Sequence, residues 1–320
     1  MVNYTLPTAQ PEYHGQFWDM VRKNTGKQDY LSRGYNTSNG TYTLPTASSA
    51  RLDKAIDQES IFRTMGTFIS AYGHSYRIFA KDSDDLATFI PEGEEIPIYE
   101  DADEFNINTV DFHKAAVFLK MDEDFVRDAA FDIEGYLVKR LAKNFGRAEE
   151  KACITGNGVS EPVGILHEND GAEVGKTTSE LSYDDVVELY FSVKPEYRKH
   201  GTWLMNDKTA LALRKIKDAD GNYIWNHNND TILGKPVQIS EFMPDAEAGK
   251  KAIAFGDFSY YWFISRSPVS LRTLTEKFAI HDQVGYLALE FLDGKLIRPE
   301  AVKVLQIGAY DSVCLSRKNK

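Results

Sequence analysis

Two short stretches of this 320-residue sequence combine residue types that serve in metal or nucleotide binding. Residues 218–221 read Asp-Ala-Asp-Gly, like the start of a calcium-binding loop. The glycine comes two positions too early, however, and Asn229 stands where the closing glutamate belongs. Residues 156–158 read Gly-Asn-Gly but lead into Val-Ser-Glu-Pro rather than into a helix, so they are not a dinucleotide-binding turn. We interpret both stretches as turns.

The other residues that could do chemistry stand alone. The sequence contains no GxxxxGK[ST], GxSxG or HExxH motif, and its seven histidines show no ligand spacing. Cys153 has no neighbouring base, which favours a packed thiol over a nucleophile. The acidic pairs Glu94/Glu95 and Asp101/Asp103 could bind a cation weakly, but acid–base work requires apolar surroundings that raise one pKa. We therefore predict no catalytic residue, no cofactor and no metal, and hence no enzyme.

Composition restricts the protein class further. The formal net charge is −11 and the pI is about 5.2. A protein that binds nucleic acid tightly usually carries a basic patch and has a high pI, so tight nucleic-acid binding is not expected here. No run of about 18 apolar residues that could span a membrane is present. The first residues lack the pattern of a signal peptide, and the two cysteines, Cys153 and Cys314, lie far apart. These features fit a reducing cytoplasm.

The most unusual stretch runs from Asp82 to Glu104 and contains ten acidic residues without a lysine or arginine. Pro91, Gly93 and Pro97 exclude a helix there. The segment also contains large apolar residues, among them Phe89, Ile90, Ile96, Ile98 and Tyr99. We interpret it as a projecting two-stranded loop that docks on another subunit. The alternative is a solvated acidic loop.

Downstream, residues 132–153 give the strongest helix pattern. Apolar residues recur at helical spacing on one stripe, at Ile133, Leu137, Leu141, Phe145 and Ala148. A second stripe beside it is basic and consists of Arg140, Lys143, Arg147 and Lys151. Such a stripe is often a solvated face, but the acidic segment upstream suggests a complementary partner.

Residues 1–44 are polar and rich in Asn, Gly and Thr, with one amphipathic piece around Phe17 and Trp18. We expect an arm that orders on a partner, with a disordered tail as the alternative.

From residue 181 onward, short helices alternate with short strands. Ser182 and Asp185 form a predicted capping box. Residues 203–205 read as a buried strand, 260–264 and 269–271 as two short strands, and Asp293-Gly294 as a hairpin turn. The expected fold class is α+β.

The order of several short motifs resembles the tailed-phage major capsid protein family, which has the Hong Kong 97-type capsid fold. The motifs that carry the resemblance are residues 61–63 (IFR), 89–93 (FIPEG), 119–125 (LKMDEDF), 149–158 (EEKACITGNG), 162–166 (PVGIL), 203–206 (WLMN), 213–218 (LRKIKD), 221–225 (GNYIW), 233–237 (LGKPV), 243–244 (MP) and 255–258 (FGDF). Each motif is weak alone, but their order and spacing over about residues 45–307 are specific.

The resemblance implies a phage major capsid fold with a peripheral domain, an axial domain, an N-terminal arm, an extended loop and a long spine helix. By this resemblance, the arm covers residues 1–44. The peripheral domain covers 45–180 and 275–320, with the extended loop at about 76–118 and the spine helix at about 132–153. The axial domain covers 181–274.

Two departures from relatives bear on assembly. Some relatives begin with a cleaved scaffolding region, whereas only about forty residues precede the match here. We expect scaffolding to be separate, already removed or absent from this chain. Other relatives form covalent links through a lysine of the extended loop. Because residues 82–104 contain no lysine, we expect a non-covalent shell.

The resemblance implies a subunit that self-assembles into the icosahedral head shell around the dsDNA genome of a tailed phage or prophage. Expected partners are the chain itself in pentamers and hexamers, scaffolding and portal proteins, and weakly contacted DNA. No membrane partner is expected, and assembly would take place in the host cytoplasm. The hypothetical interface residues are Phe17, Trp18, Phe89, Ile90, Glu92, Glu94, Glu95, Glu100, Asp101, Arg140, Lys143 and Arg147.

Three alternatives remain at this stage. An encapsulin-type shell that holds enzyme cargo shares the fold. The others are an enzyme of unrecognised type and a binding module that never assembles.

Overall fold

The computed structural model describes residues 6–23, 29–34, 36–37, 40–70, 75–80, 106–128, 130–217, 220–223, 225 and 230–308. The helices in these residues are α1 (Pro11–Val21), α2 (Thr46–Glu59), α3 (Ile61–Met65), α4 (Glu123–Arg127), α5 (Ile133–Thr155), α6 (Tyr183–Ser192), α7 (Pro195–Arg198) and α8 (Asp207–Arg214). The strands are β1 (Asn36–Thr37), β2 (Thr41–Thr43), β3 (Thr67–Ser70), β4 (Ser75–Ala80), β5 (Asn106–Asp111), β6 (His113–Asp122), β7 (Glu173–Thr178), β8 (Thr202–Met205), β9 (Thr231–Ile232), β10 (Lys235–Ile239), β11 (Lys251–Gly256), β12 (Tyr261–Leu274), β13 (Gln283–Leu296) and β14 (Val302–Ile307).

The first sheet is built around the antiparallel pair of the two longest strands, β12 and β13. Its order is β1-β2-β12-β13-β6, and β3 pairs in parallel with the other part of the β12 edge. The pairing of β12 with β13 runs from Tyr261 opposite Leu296 to Leu274 opposite Gly285, with irregularities around Ser267. Thus the two short strands predicted at 260–264 and 269–271 are one long, bulged strand.

The second sheet has the order β7-β14-β11-β8-β10-β9 and mixes parallel with antiparallel pairs. Its membership differs from the domain boundaries that the resemblance implied. Strand β12 falls within the expected axial domain, 181–274, but lies in the first sheet beside β13. Strands β7 and β14 fall within the expected peripheral domain but pair in the second sheet. Hydrogen bonding between distant segments, rather than chain order, therefore divides the two sheets.

Three clusters of buried side chains hold these layers together. The first lies between α1, α2, α5 and the first sheet, and includes Leu52 and Leu137. The second packs α6 and α8 on the second sheet around Trp203. The third contains residues of both sheets, among them Phe263 of β12 and Val304 of β14. The two sheets therefore share a continuous apolar contact.

Several local predictions are confirmed and one is wrong. The predicted helix at 132–153 is α5, and α6 begins with the predicted capping box, in which Ser182 and Asp185 bond each other's backbone N–H. The predicted turn at Asp293-Gly294 is wrong because both residues lie inside β13, paired with Ile264 and Phe263. A glycine is needed there because a Cβ on Gly294 would lie 2.7 Å from Tyr261 Oη.

Candidate subunit interface

The helix α5 is fixed to the body of the chain along one side. Asp132 caps its start, where Oδ1 accepts a hydrogen bond from Gly135 N at 2.9 Å. The predicted apolar stripe from Ile133 through Phe145 is buried. Its last predicted member, Ala148, is exposed, and Glu149 occupies the buried position instead. This correction follows from helical geometry, because Glu149 continues the four-residue spacing of the stripe.

The opposite side of α5 carries the predicted basic stripe, which consists of exposed residues: Arg140, Lys143, Arg147 and Lys151. Arg147 has partners within the chain. Its Nη2 lies 2.6 Å from Glu241 Oε1, and its guanidinium lies 5.8 Å from the centroid of the Phe242 ring. Arg147 therefore already has a local counter-charge.

Arg140 and Lys143 differ from Arg147 in this respect. Within the part of the chain that the structure describes, neither has an ion-pair partner. They lie three residues apart on one helix face, where like charges repel each other weakly. An acidic surface brought against this face would relieve that repulsion. The two side chains are the part of the predicted interface that is both described and open to a partner.

The predicted projecting loop is described only at its base. There β4 and β5 form a separate antiparallel two-stranded sheet, from Ser75 opposite Asp111 to Ala80 opposite Asn106. The predicted interface residues of the loop lie outside the described residues: Phe89, Ile90, Glu92, Glu94, Glu95, Glu100 and Asp101.

The structure contradicts the prediction that Phe17 and Trp18 are free to contact a partner. Phe17 is fully buried and Trp18 is 7% exposed, and both lie in the first core cluster of the same chain. Their rings meet edge to face at a centroid distance of 5.2 Å. The two adjacent aromatic residues do mark a segment that packs on a surface. That surface, however, is formed by the helices and the first sheet of the same chain.

Hydrogen bonds anchor α1 in this position. Tyr13 Oη donates to Thr43 O at 2.6 Å, and Trp18 Nε1 donates to Ser48 Oγ at 3.2 Å. At the end of the helix, Tyr286 Oη donates to Val21 O at 2.9 Å. Burial raises the pKa of Tyr13 to about 12, so its hydroxyl remains a donor at neutral pH. The helix is thus tied to α2, to the short strand β2 and to the long strand β13.

One exposed aromatic cluster escaped the sequence analysis. The rings of Phe125, Phe131 and Tyr136 lie in a row beside the start of α5, tilted against each other, with centroid distances of 4.1 and 5.6 Å. Phe125 is 51% and Tyr136 43% exposed. Adjacent exposed apolar rings are typical of contact surfaces. No periodicity in the sequence indicates this cluster, because its members come from α4, a loop and α5.

A buried ionic cluster was also missed. Arg63, Glu149 and Glu290 come from α3, α5 and β13 and meet beneath the exposed face of α5. Only Glu149 had a signal in the sequence, namely its place on the apolar stripe. The other two positions depend on how the first sheet packs against the helices.

Neither a metal site nor a membrane-spanning helix is present among the residues that the structure describes. Among them, no three His, Cys, Asp or Glu side chains are arranged to hold a metal ion. None of their helices is long and apolar enough to cross a membrane.

Comparison with known proteins gives a consistent result. The sequence model of the phage capsid family matches residues 40–307. The capsid of a native GTA particle is 27% identical with a TM-score of 0.64, over 89% of this chain and 100% of that chain. The capsid of the empty GTA particle is 28% identical with a TM-score of 0.66, over 88% of this chain and 97% of that chain.

More distant structures agree in fold. A structure from Microbacterium phage Oxtober96 is 18% identical with a TM-score of 0.56, over 78% of this chain and 91% of that chain. A search of curated proteins found no significant match.

Proposed function

Because the chain belongs to the phage capsid family, it is a structural subunit of a capsid shell, and we propose that it binds its neighbours through the basic face of α5. In this proposal, Arg140 and Lys143 of one subunit receive the acidic loop of another. The observation that carries the proposal is their exposure without an ion-pair partner among the described residues.

The acidic segment of a neighbouring copy fits this face by charge. It offers Glu92, Glu94, Glu95, Glu100 and Asp101 and contains no basic residue. Exposed ion pairs contribute only about 0.2–1 kcal/mol each. The charges would therefore set the register and speed of association more than its strength.

Apolar contacts would supply most of the binding free energy. Within the loop, Phe89 and Ile90 provide such surface. Beside the basic face, the exposed rings of Phe125 and Tyr136 extend the contact area. Phe17 and Trp18 are excluded from the proposed interface, since they are buried within the subunit.

The finer assembly scheme is also a proposal. The related GTA capsid was computed with C5 symmetry, which supports pentamers of this chain, and we add hexamers, a scaffolding protein and a portal protein. The net charge of −11 suits a shell that contacts packaged dsDNA weakly. We infer that the subunit acts by assembly in the host cytoplasm and not by catalysis.

Charge reversal tests the interface. The double variant Arg140→Glu/Lys143→Glu is expected to remain a folded subunit but to form no shells, because two acidic side chains would then face the acidic loop. Negative-stain electron microscopy and sedimentation measure assembly, and circular dichroism measures folding. Lys54→Glu, at an exposed position of α2, is the control and should still assemble.

A second pair of changes identifies the loop as the partner. Adding Glu94→Lys and Glu95→Lys to the double variant should restore shells, since the charges are then exchanged across the interface. Normal shells from Arg140→Glu/Lys143→Glu alone would refute the interface. If the double variant forms no shells and the added Glu94→Lys and Glu95→Lys do not restore them, the basic face is still required for assembly, but these two glutamates are not its partners.

The alternative of a compartment for enzyme cargo is not favoured, since the family and the compared structures are phage and GTA capsids. The contents of purified shells discriminate between the two. Nucleic acid inside supports the phage-type head, whereas a co-purifying enzyme would support the compartment.

A further inference from the structure

The buried ionic cluster beneath α5 contains more acid than base. The guanidinium of Arg63 donates two hydrogen bonds to the carboxylate of Glu149, from Nε to Oε2 at 2.8 Å and from Nη2 to Oε1 at 2.7 Å. Glu290 is the third member, with Oε1 3.7 Å from Arg63 Nη2. The three side chains are only 2–4% exposed. Fully ionised, this cluster would carry one uncompensated negative charge.

An uncompensated charge in a protein interior is strongly unfavourable, so a carboxylate in that position takes up a proton and becomes neutral. The geometry shows which carboxyl takes the proton. Glu149 has two short charge-assisted hydrogen bonds, which stabilise its ionised form. Glu290 has only the distant contact, and its Oε2 has no hydrogen-bond partner among the described residues.

We propose that Arg63, Glu149 and Glu290 form a proton-dependent joint between α3, α5 and β13, in which Glu290 holds a proton at neutral pH and releases it in mildly alkaline solution. Burial, and next the charge of Glu149, raise the pKa of Glu290 from 4.5 to about 8. Burial also raises the pKa of Glu149 despite Arg63, so the pair shares one proton that resides mainly on Glu290.

A small cavity gives the proton a route to solvent. The volume of the cavity is about 70 Å³. It opens beside the part of β12 between Ser265, where the pairing with β3 ends, and Ser270, where the pairing with β2 begins. The residues that line it include Ser49, Asp53, Phe68, Ser265, Ser267 and Glu290. The cavity is polar and roomy enough for a few water molecules, which is sufficient for proton exchange.

Other ionisable groups around the cluster come from several elements. They are Asp53 and Asp57 of α2, Glu150 and Cys153 of α5, Arg266 of β12 and Tyr261 of β12. Asp57 lies at the rim, 4.0 Å from Arg63 Nη1 and half exposed. Asp53 adds negative charge, which favours retention of the proton on Glu290.

The sign of the pH dependence follows from the raised pKa. Because the folded state holds the proton more tightly, its full stabilisation is present below about pH 4.5 and is lost as the pH rises through about 8. Over this window, the Glu290 site increases the unfolding constant by up to about tenfold per pH unit. The isosteric variant Glu290→Gln lacks this site and should show a slope smaller by up to one proton.

Urea unfolding of the unassembled full chain at several pH values tests the joint. Wild type should lose stability between about pH 5 and 8, and Glu290→Gln should lose distinctly less. The control Asp124→Asn, at an exposed position of α4 outside the cluster, should follow wild type. Equal slopes for wild type and Glu290→Gln would overturn the proposal.

If Glu290→Gln does not fold, infrared spectroscopy of the Glu150→Gln variant is the decisive measurement. That background removes Glu150, a buried carboxyl outside the cluster whose pKa burial also raises. A carbonyl band of a protonated carboxyl at neutral pH that disappears near pH 8 supports the joint. The absence of such a band at neutral pH overturns it.

Discussion

The substitution Phe17→Ala should destabilise the single subunit even before assembly. Phe17 is fully buried, and its ring lies 5.2 Å from that of Trp18 and 6.3 Å from that of Tyr13. Truncation of a buried phenylalanine lowers the free energy of unfolding by about 3–5 kcal/mol. An eleven-residue helix such as α1 is marginal in isolation, so its stability depends on this docking.

Urea unfolding of the unassembled subunit, followed by circular dichroism, measures the effect. A loss of about 4 kcal/mol lowers the midpoint by about 1.3 M if the urea dependence is about 3 kcal/mol per molar. The control is Leu6→Ala, at a side chain that is 58% exposed. It should stay within about 0.5 kcal/mol of wild type.

The result separates two roles for the N-terminal segment. If Phe17 instead contacted a neighbouring subunit, Phe17→Ala would leave the unassembled subunit as stable as wild type and would weaken only the shell. An unchanged urea midpoint combined with fragile shells would therefore refute the packing of α1 on its own chain.

Two further substitutions test local features of the fold. Gly294→Ala places a Cβ 2.7 Å from Tyr261 Oη, whose hydroxyl is held by Val163 O at 2.9 Å, so the subunit should lose about 1–3 kcal/mol. A thermal melt identical to that of wild type would contradict this close approach. Ser182→Ala removes the capping box of α6 and should lower stability by about 1 kcal/mol, whereas Ser182→Thr retains it. Equal melting of both variants would show that the cap contributes nothing.

The basic face of α5 and the joint below it lie on opposite sides of one helix. On the exposed side, Arg140 and Lys143 have no ion-pair partner within the described part of the chain. Inward, Glu149 is bound to Arg63 and shares its environment with Glu290. A change in the protonation of Glu290 would therefore act on the same helix that we propose receives a neighbouring subunit.

Local sequence patterns predicted the elements whose structure depends on near neighbours. The stripe from Ile133 to Phe145 indicated α5, and Ser182 with Asp185 indicated the start of α6. The exposed basic stripe followed from the same helical periodicity. These predictions succeeded because helix period and capping involve residues only three or four positions apart.

Long-range pairing explains the predictions that failed. Asp293-Gly294 has the composition of a turn, but pairing with β12 continues through both residues and makes them part of a strand. The gap predicted between 264 and 269 is a bulged part of β12, which pairs with β13 and lies between the part of β12 that pairs with β3 and the part that pairs with β2. Local turn propensity is weak compared with the packing of a long central strand pair.

The sequence by itself determined the mixed helix and sheet composition, the two faces of α5 and the family to which the chain belongs, because each is a pattern along the chain. Tertiary structure alone decided that α1 packs on its own subunit, where Tyr286 bonds Val21 across 265 positions. It also decided that Glu149 and Glu290 share one arginine. Such contacts join segments far apart in sequence, so burial, and with it the charge state of these groups, is set only when the sheets and helices close around them.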